Sequence, residues 1–180
     1  MNIVETGMKI DLHIHSKASS AKDGAKVKNN TKENLPLLVG KLNDNEVNIC
    51  AITDHDVFSY ELYSELKKAE IEDNTIKKVL PGVEFSVQFS LDNSISPIHI
   101  IAIFSDLDDE KVKKIAEILD INNPSTGGAY SEEEFLSILR EIDIDTILRN
   151  ADGSLTTNGY LMSTGDYQSM GAKFGVENQV

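Results

Sequence analysis

The segment Val47-Asn48-Ile49-Cys50-Ala51-Ile52-Thr53 constrains the fold more than any other part of this chain. It is almost continuously apolar and carries β-branched residues, the mark of a strand buried on both faces. Helical stripes flank it. Leu35, Leu38, Val39 and Leu42 precede it at helical spacing and predict a helix that starts near Thr31, with Pro36 tolerated in its first turn. Phe58, Leu62, Leu66 and Ala69 stripe a second helix beyond it.

The alternation extends in both directions. Residues 8–12 predict a first strand, followed by a loop over 16–30 rich in Lys, Ser and Ala. Residues 79–89 read as a strand, and the polar turn Asp92-Asn93-Ser94 leads into another over 98–104. A third helix carries Val112, Ile115, Ala116 and Leu119. Ser131-Glu132-Glu133-Glu134 has the form of a capping box, opening a helix that buries Phe135, Ile138, Leu139 and Ile142. A short strand over 145–148 is expected next. Strands and helices of these lengths imply parallel pairing with right-handed crossovers, hence an α/β sheet or barrel. Residues 149–180 differ, holding five of the eleven glycines and no clear period. One domain over 1–148 and a divergent, loosely structured tail over 149–180 are therefore expected.

A chain of 180 residues, 40% hydrophobic and 26% charged, suffices for one sizeable core. Its net charge of -13 argues against a broad basic surface that grips nucleic acid unaided. Phosphate substrates stay open, because bound divalent cations invert the local sign. The single cysteine, Cys50, cannot pair internally and reads as a small buried hydrophobe. No basic-then-apolar leader and no run of transmembrane length is present, so a cytoplasmic chain without a membrane partner is expected.

The chain has four histidines, and two of them, His13 and His15, end the first predicted strand. Strand alternation puts both imidazoles on one face, a bidentate claw for a transition metal, with surface histidines as the plain alternative. In parallel α/β architectures functional groups gather at the C-terminal ends of strands. Thr53-Asp54-His55-Asp56 ends the second strand, Glu84 follows the Pro81-Gly82 turn, and His99 lies in Pro97-Ile98-His99-Ile100. This mixed nitrogen and oxygen set suits Zn, Mn or Fe better than Ca or Mg. Each part has another reading: Asp54 or Asp56 as a helix cap, Glu84 as a solvent-facing strand residue, His99 as a core histidine.

The strings Asp11-Leu12-His13-Ile14-His15-Ser16, Ile52-Thr53-Asp54-His55-Asp56 and Pro81-Gly82-Val83-Glu84-Phe85-Ser86 closely resemble the polymerase-and-histidinol-phosphatase (PHP) domain, over roughly residues 8–148. The resemblance implies a distorted (β/α)7-type barrel with two or three divalent transition metals (Mn, Zn or Fe) at the strand C-termini. It implies a hydrolase, a phosphoesterase acting on phosphomonoesters or phosphodiesters through a metal-bound hydroxide. The substrate would be a phosphorylated small molecule or nucleic acid, and the domain can be fused to or associated with an ATPase or polymerase in a longer protein. By resemblance His13, His15, His55 and Glu84 hold the metals and carry catalysis, and His99 looks like the next ligand. Asp23, in Lys22-Asp23-Gly24, resembles the loop aspartate of the cluster; a plain Asp-Gly turn is its alternative. Asp11 and Asp54 are expected to orient imidazoles through the nitrogen not bound to metal. No basic residue stands out as a phosphate clamp, although Lys17 and Lys22 lie in the loop after His15.

The chain also departs from the family. No histidine follows His99, and Arg149-Asn150-Ala151-Asp152-Gly153 stands where the next would fall. The closing Asp-x-His is missing too, with only Asp152 and Asp166 as substitute oxygen ligands. The barrel is thus expected to be incomplete. Two functions follow: a metal-dependent phosphoesterase, or the front part of one, and a degenerate PHP module with a structural or regulatory role.

Overall fold

The computed structural model describes residues 7–70, 74–91, 94–104, 108–122, 124 and 128–142. The strand expected over 145–148, Asp152, Asp166 and the tail lie outside them. The fold is mixed α/β, with two three-stranded sheets and no closed barrel among the described residues.

In the first sheet β1 (Lys9–Ile14), β2 (Val47–Ile52) and β3 (Lys78–Val79) lie in that order and are all parallel. The central strand is the apolar run of the sequence, with Cys50 and Ala51 fully buried. The link from β1 to β2 holds α1 (Ser20–Asp23) and α2 (Leu35–Asp44). A 3-10 turn over Lys32–Asn34 leads into α2, whose first turn takes Pro36 where a missing N–H matters little. α3 (Tyr60–Lys67) connects β2 to β3 and is capped by Ser59, whose hydroxyl accepts from the Leu62 N–H at 3.3 Å. Neither Asp54 nor Asp56 serves as that cap.

The second sheet orders β4 (Gly82–Leu91) between β5 (Ser94–Ile103) and β6 (Tyr130–Ser131). Here the expectation of parallel pairing fails: β5 runs antiparallel to β4, while β6 is parallel to it. The physical reason is the connection. β4 ends at Leu91 and β5 begins at Ser94, paired with it, and so short a link makes a hairpin, whereas a parallel crossover needs a dozen or more residues. The strand expected over 79–89 is likewise divided. Its first residue, Val79, pairs with β2 as the end of β3; after Pro81 the chain shifts partners, and Pro81 offers its carbonyl to the Phe104 N–H at 2.9 Å.

Gly82 makes that shift feasible. A Cβ there would lie 2.8 Å from both the Ile103 Cδ1 and the Thr53 Cγ2, so any larger residue would have to displace a neighbour for β4 to pass this close. Beyond β2 the backbone stays beside its neighbours: Thr53 N–H donates to Ile14 O, Glu84 N–H to Asp54 O and Asp56 N–H to Glu84 O. A parallel bridge between His55 and Glu84 therefore joins the two sheets. The ends of β1 and β2 and the start of β4 lie side by side. On the other face of β4, Val83, Phe85 and Val87 are fully buried, each contributing about 1.5–3 kcal/mol of burial.

α4 (Asp109–Ile121) is capped by Asp108 and buries Val112, Ile115, Ile118 and Leu119. From Glu133 onward the chain forms a second compact unit, whose described part is the body of α5 (Glu132–Ile142), with Phe135, Leu136, Ile138, Leu139 and Ile142 buried. No helix among the described residues is long and apolar enough to cross a membrane.

Candidate metal centre

The period-two geometry of β1 brings His13 and His15 onto one face, where their Nε2 atoms lie 3.0 Å apart. Glu84 enters from the first turn of β4, buried to 3% exposure, and stands at the centre of the cluster. Its Oε2 lies 2.9 Å from His13 Nε2, 3.2 Å from His15 Nε2 and 3.6 Å from His55 Nδ1. Its Oε1 lies 2.9 Å from His99 Nδ1. That last contact follows from the hairpin. Ser86 pairs with His99 and Glu84 with Ile101, so Glu84 and His99 are diagonal neighbours on one face.

Asp23, the last residue of α1, completes the group. Its carboxylate lies 3.4 Å from His15 Nδ1 and 3.6 Å from His55 Nε2. The four imidazoles run in a chain, His13 to His15 to His55 to His99, with ring centres 4.7–4.9 Å apart. Three overlapping sets have donor atoms close enough to share an ion: His13–His15–Glu84, His15–Asp23–His55 and His55–Glu84–His99. All six residues that the resemblance assigns as ligands thus fall in one cluster.

The donors also suit metal in their electrostatics. Burial holds the His55 imidazole below its ordinary pKa, although Glu84 and Asp23 pull the other way. Its neutral form is the one that ligates. His55 Nδ1 is buried and has no hydrogen-bond partner among the described residues, an orphaned ring nitrogen facing Glu84 that a cation would satisfy. For Asp23, burial pushes the carboxyl up, but the Ser19 hydroxyl, His15, His55 and Lys26 together outweigh it and the net shift is downward. Asp23 is therefore anionic at neutral pH. Mutual contact of four imidazole rings around a buried carboxylate fits a divalent transition ion by the chemistry of the set.

The supporting residues differ from expectation. Asp54 does not hydrogen-bond an imidazole. Its carboxylate accepts from the Ser16 N–H at 2.6 Å and the Ser16 hydroxyl at 2.5 Å, fixing the chain directly after His15. Burial raises its pKa despite those two bonds. Among the described residues Asp11 accepts only from the His13 backbone N–H, at 3.4 Å. The second nitrogen of His15 instead meets Ser19, whose hydroxyl lies 3.4 Å from His15 Nδ1, donates to Asp23 and accepts from the His55 N–H at 3.1 Å. Nothing in Ala18-Ser19-Ser20 marks that serine beforehand. Lys22 is no free phosphate clamp, since it is paired with Asp56 and Ser86.

Beside His15 a cleft of about 430 Å³ opens, lined by Leu35, Leu37, Leu38, Leu62 and the amides of Asn29, Asn30 and Asn34 among others. No protein-family model matches the chain, and no curated protein matches it.

Proposed function

We propose that this chain is a metal-dependent phosphoesterase domain of PHP type, in a barrel incomplete over the residues present, working in the cytoplasm. The observation that carries the reading is Glu84: one buried carboxylate within 3.6 Å of four imidazoles, with Asp23 at the far side of two of them. A buried carboxylate is costly to desolvate, and cations held between it and the surrounding ring nitrogens would offset that cost. When bound, Mn, Zn or Fe ions supply Lewis acidity toward phosphoryl oxygens and lower the pKa of an attacking water.

The protein's own side chains leave water as the nucleophile. Ser16 and Ser19 donate their hydroxyl protons to Asp54 and Asp23, and Cys50 is fully buried with its thiol pushed up to about 12. His13 and His99 are about half exposed and give the cluster an open side for a phosphate ester, while the cleft beside His15 offers amide and apolar surface for its organic group. A phosphorylated small molecule or a nucleotide end fits that shape.

The regulatory alternative keeps one observation in its favour: no histidine follows His99. Hydrolysis of p-nitrophenyl phosphate and its bis-ester by the full chain separates the readings. Turnover that requires Mn, Zn or Fe and stops with chelator supports the enzyme. Metal binding without turnover supports the regulatory module, and chelator-indifferent turnover overturns both.

A further inference from the structure

Asp23 is delivered to the cluster by very little regular structure. α1 spans four residues and is flanked by 3-10 turns over Lys17–Ser19 and Gly24–Lys26. A helix that short cannot hold a carboxylate in place by its own hydrogen bonds. Something outside the segment must.

Lys22, next to Asp23, reaches across to the second sheet. Its ammonium lies 2.8 Å from Asp56 Oδ2 and donates to Ser86 Oγ at 2.6 Å and, more weakly, to Gly128 O at 3.4 Å. Asp56 is itself buried and tightly fixed. Its Oδ1 accepts from the Ser86 N–H at 2.7 Å, and its own N–H donates to Glu84 O at 2.9 Å. Its φ of 57° is a left-handed conformation that a non-glycine residue keeps only where its surroundings hold it. Each member of this set stands one or two positions from a cluster residue: Lys22 beside Asp23, Asp56 beside His55, Ser86 two along from Glu84.

We infer that Lys22 is a positioning residue, its pairing with the buried Asp56 and Ser86 locking the Asp23 segment against His15 and His55. The His15–Asp23–His55 set depends on this lock. The His13–His15–Glu84 set, built from β1, the residue just after it and β4, does not. The ligand half of this inference rests on the metal reading above; the lock itself does not.

Two measurements on the full chain keep the two apart. The first is titration with Mn or Zn, using Asp23→Asn to mark the class of ion that needs Asp23. In Lys22→Met that class weakens by about 10–100-fold while the others hold, the usual loss when an outer partner of a ligand is removed. Lys22→Arg restores it in large part, and Lys22→Met adds nothing on top of Asp23→Asn. A Lys22→Met protein that binds every class as the parent does overturns the inference.

The second is amide hydrogen exchange over residues 17–26 without metal. It includes Lys22→Met/Asp56→Asn, which leaves no unpaired buried charge and so guards against loss of folding. Exchange there should rise about tenfold or more over the parent, with the core of β2 unchanged. Faster exchange in the double variant, together with a parent that binds no metal, keeps the lock and refutes the metal reading. Unchanged exchange refutes the lock.

Discussion

Replacing Glu84 with glutamine keeps the side chain's size and removes its charge from the centre of the cluster. The carboxylate oxygens stand 2.9–3.6 Å from four imidazole nitrogens, with the side chain 5% exposed, so water screens this charge little. At an effective dielectric of ~20, a unit charge about 4 Å from another is worth ~4 kcal/mol, or about three decades in a dissociation constant. A divalent ion doubles the attraction, and its desolvation takes back a similar amount, so ~10³-fold is the working figure. Thermal melting reads it out. Metal at about 1,000 times the parent's Kd adds ~4 kcal/mol of stability, whereas the same concentration adds only ~0.4 kcal/mol to Glu84→Gln. At about 2–4 °C per kcal/mol for a chain of this size, the parent Tm should rise by ~8–16 °C and the variant's by ~1–2 °C. Equal metal-induced shifts in the two proteins would mean that the Glu84 charge holds no ion.

Three further outcomes follow from the structure. Gly82→Ala puts a Cβ 2.8 Å from Ile103 and Thr53 side-chain atoms, so it should cost about 1–3 kcal/mol in denaturant unfolding; a neutral result contradicts the close passage of β4. Cys50 is fully buried, and burial, with Asp11 and Glu70 adding, pushes its thiol up to about 12, so thiol reagents should label it only on unfolding. In the unfolded chain that thiol ionises near ~8.5, so its folded pKa is raised: its contribution is complete below that pH and is lost as pH climbs toward about 12, by up to ~1.4 kcal/mol per unit, a fall that Cys50→Ala should lack.

How far the sequence foretold this arrangement depends on the range of the interaction. The shared face of His13 and His15 was legible because alternation along one strand settles it. The two-sided burial of β2 was legible for a similar reason: Ile49, Cys50, Ala51 and Ile52 leave no polar face to turn outward. Placement of Glu84 beside His99 was not, because it depends on the Ser86–His99 register of a hairpin whose antiparallel sense lies in the short link after Leu91. The division of 79–89 into two strands in different sheets had its signal in Pro81 and Gly82, residues that shift partners and permit close approach. Ser19, Lys22 and Asp56 form the least legible layer. The contacts of Ser19 with His55, Lys22 with Ser86 and Asp56 with Ser86 span 30 to 64 positions, and no local pattern encodes them. Asp11 and Asp54 were expected beside imidazoles because histidine ligands want a second partner; Ser19 fills that role for His15, and Asp54 braces Ser16.

The four imidazoles, Asp23 and Glu84 are proposed to form one metal centre. Elemental analysis of the full chain, purified without chelator and compared with His13→Ala/His15→Ala, tests it most directly. The double variant removes two of the three donors of one set and one donor of a second, and leaves His55, Glu84 and His99 together. The expected result is at least two transition-metal equivalents in the parent and a loss of one or more in the variant. A parent without bound metal, or identical occupancy in both proteins, would contradict it.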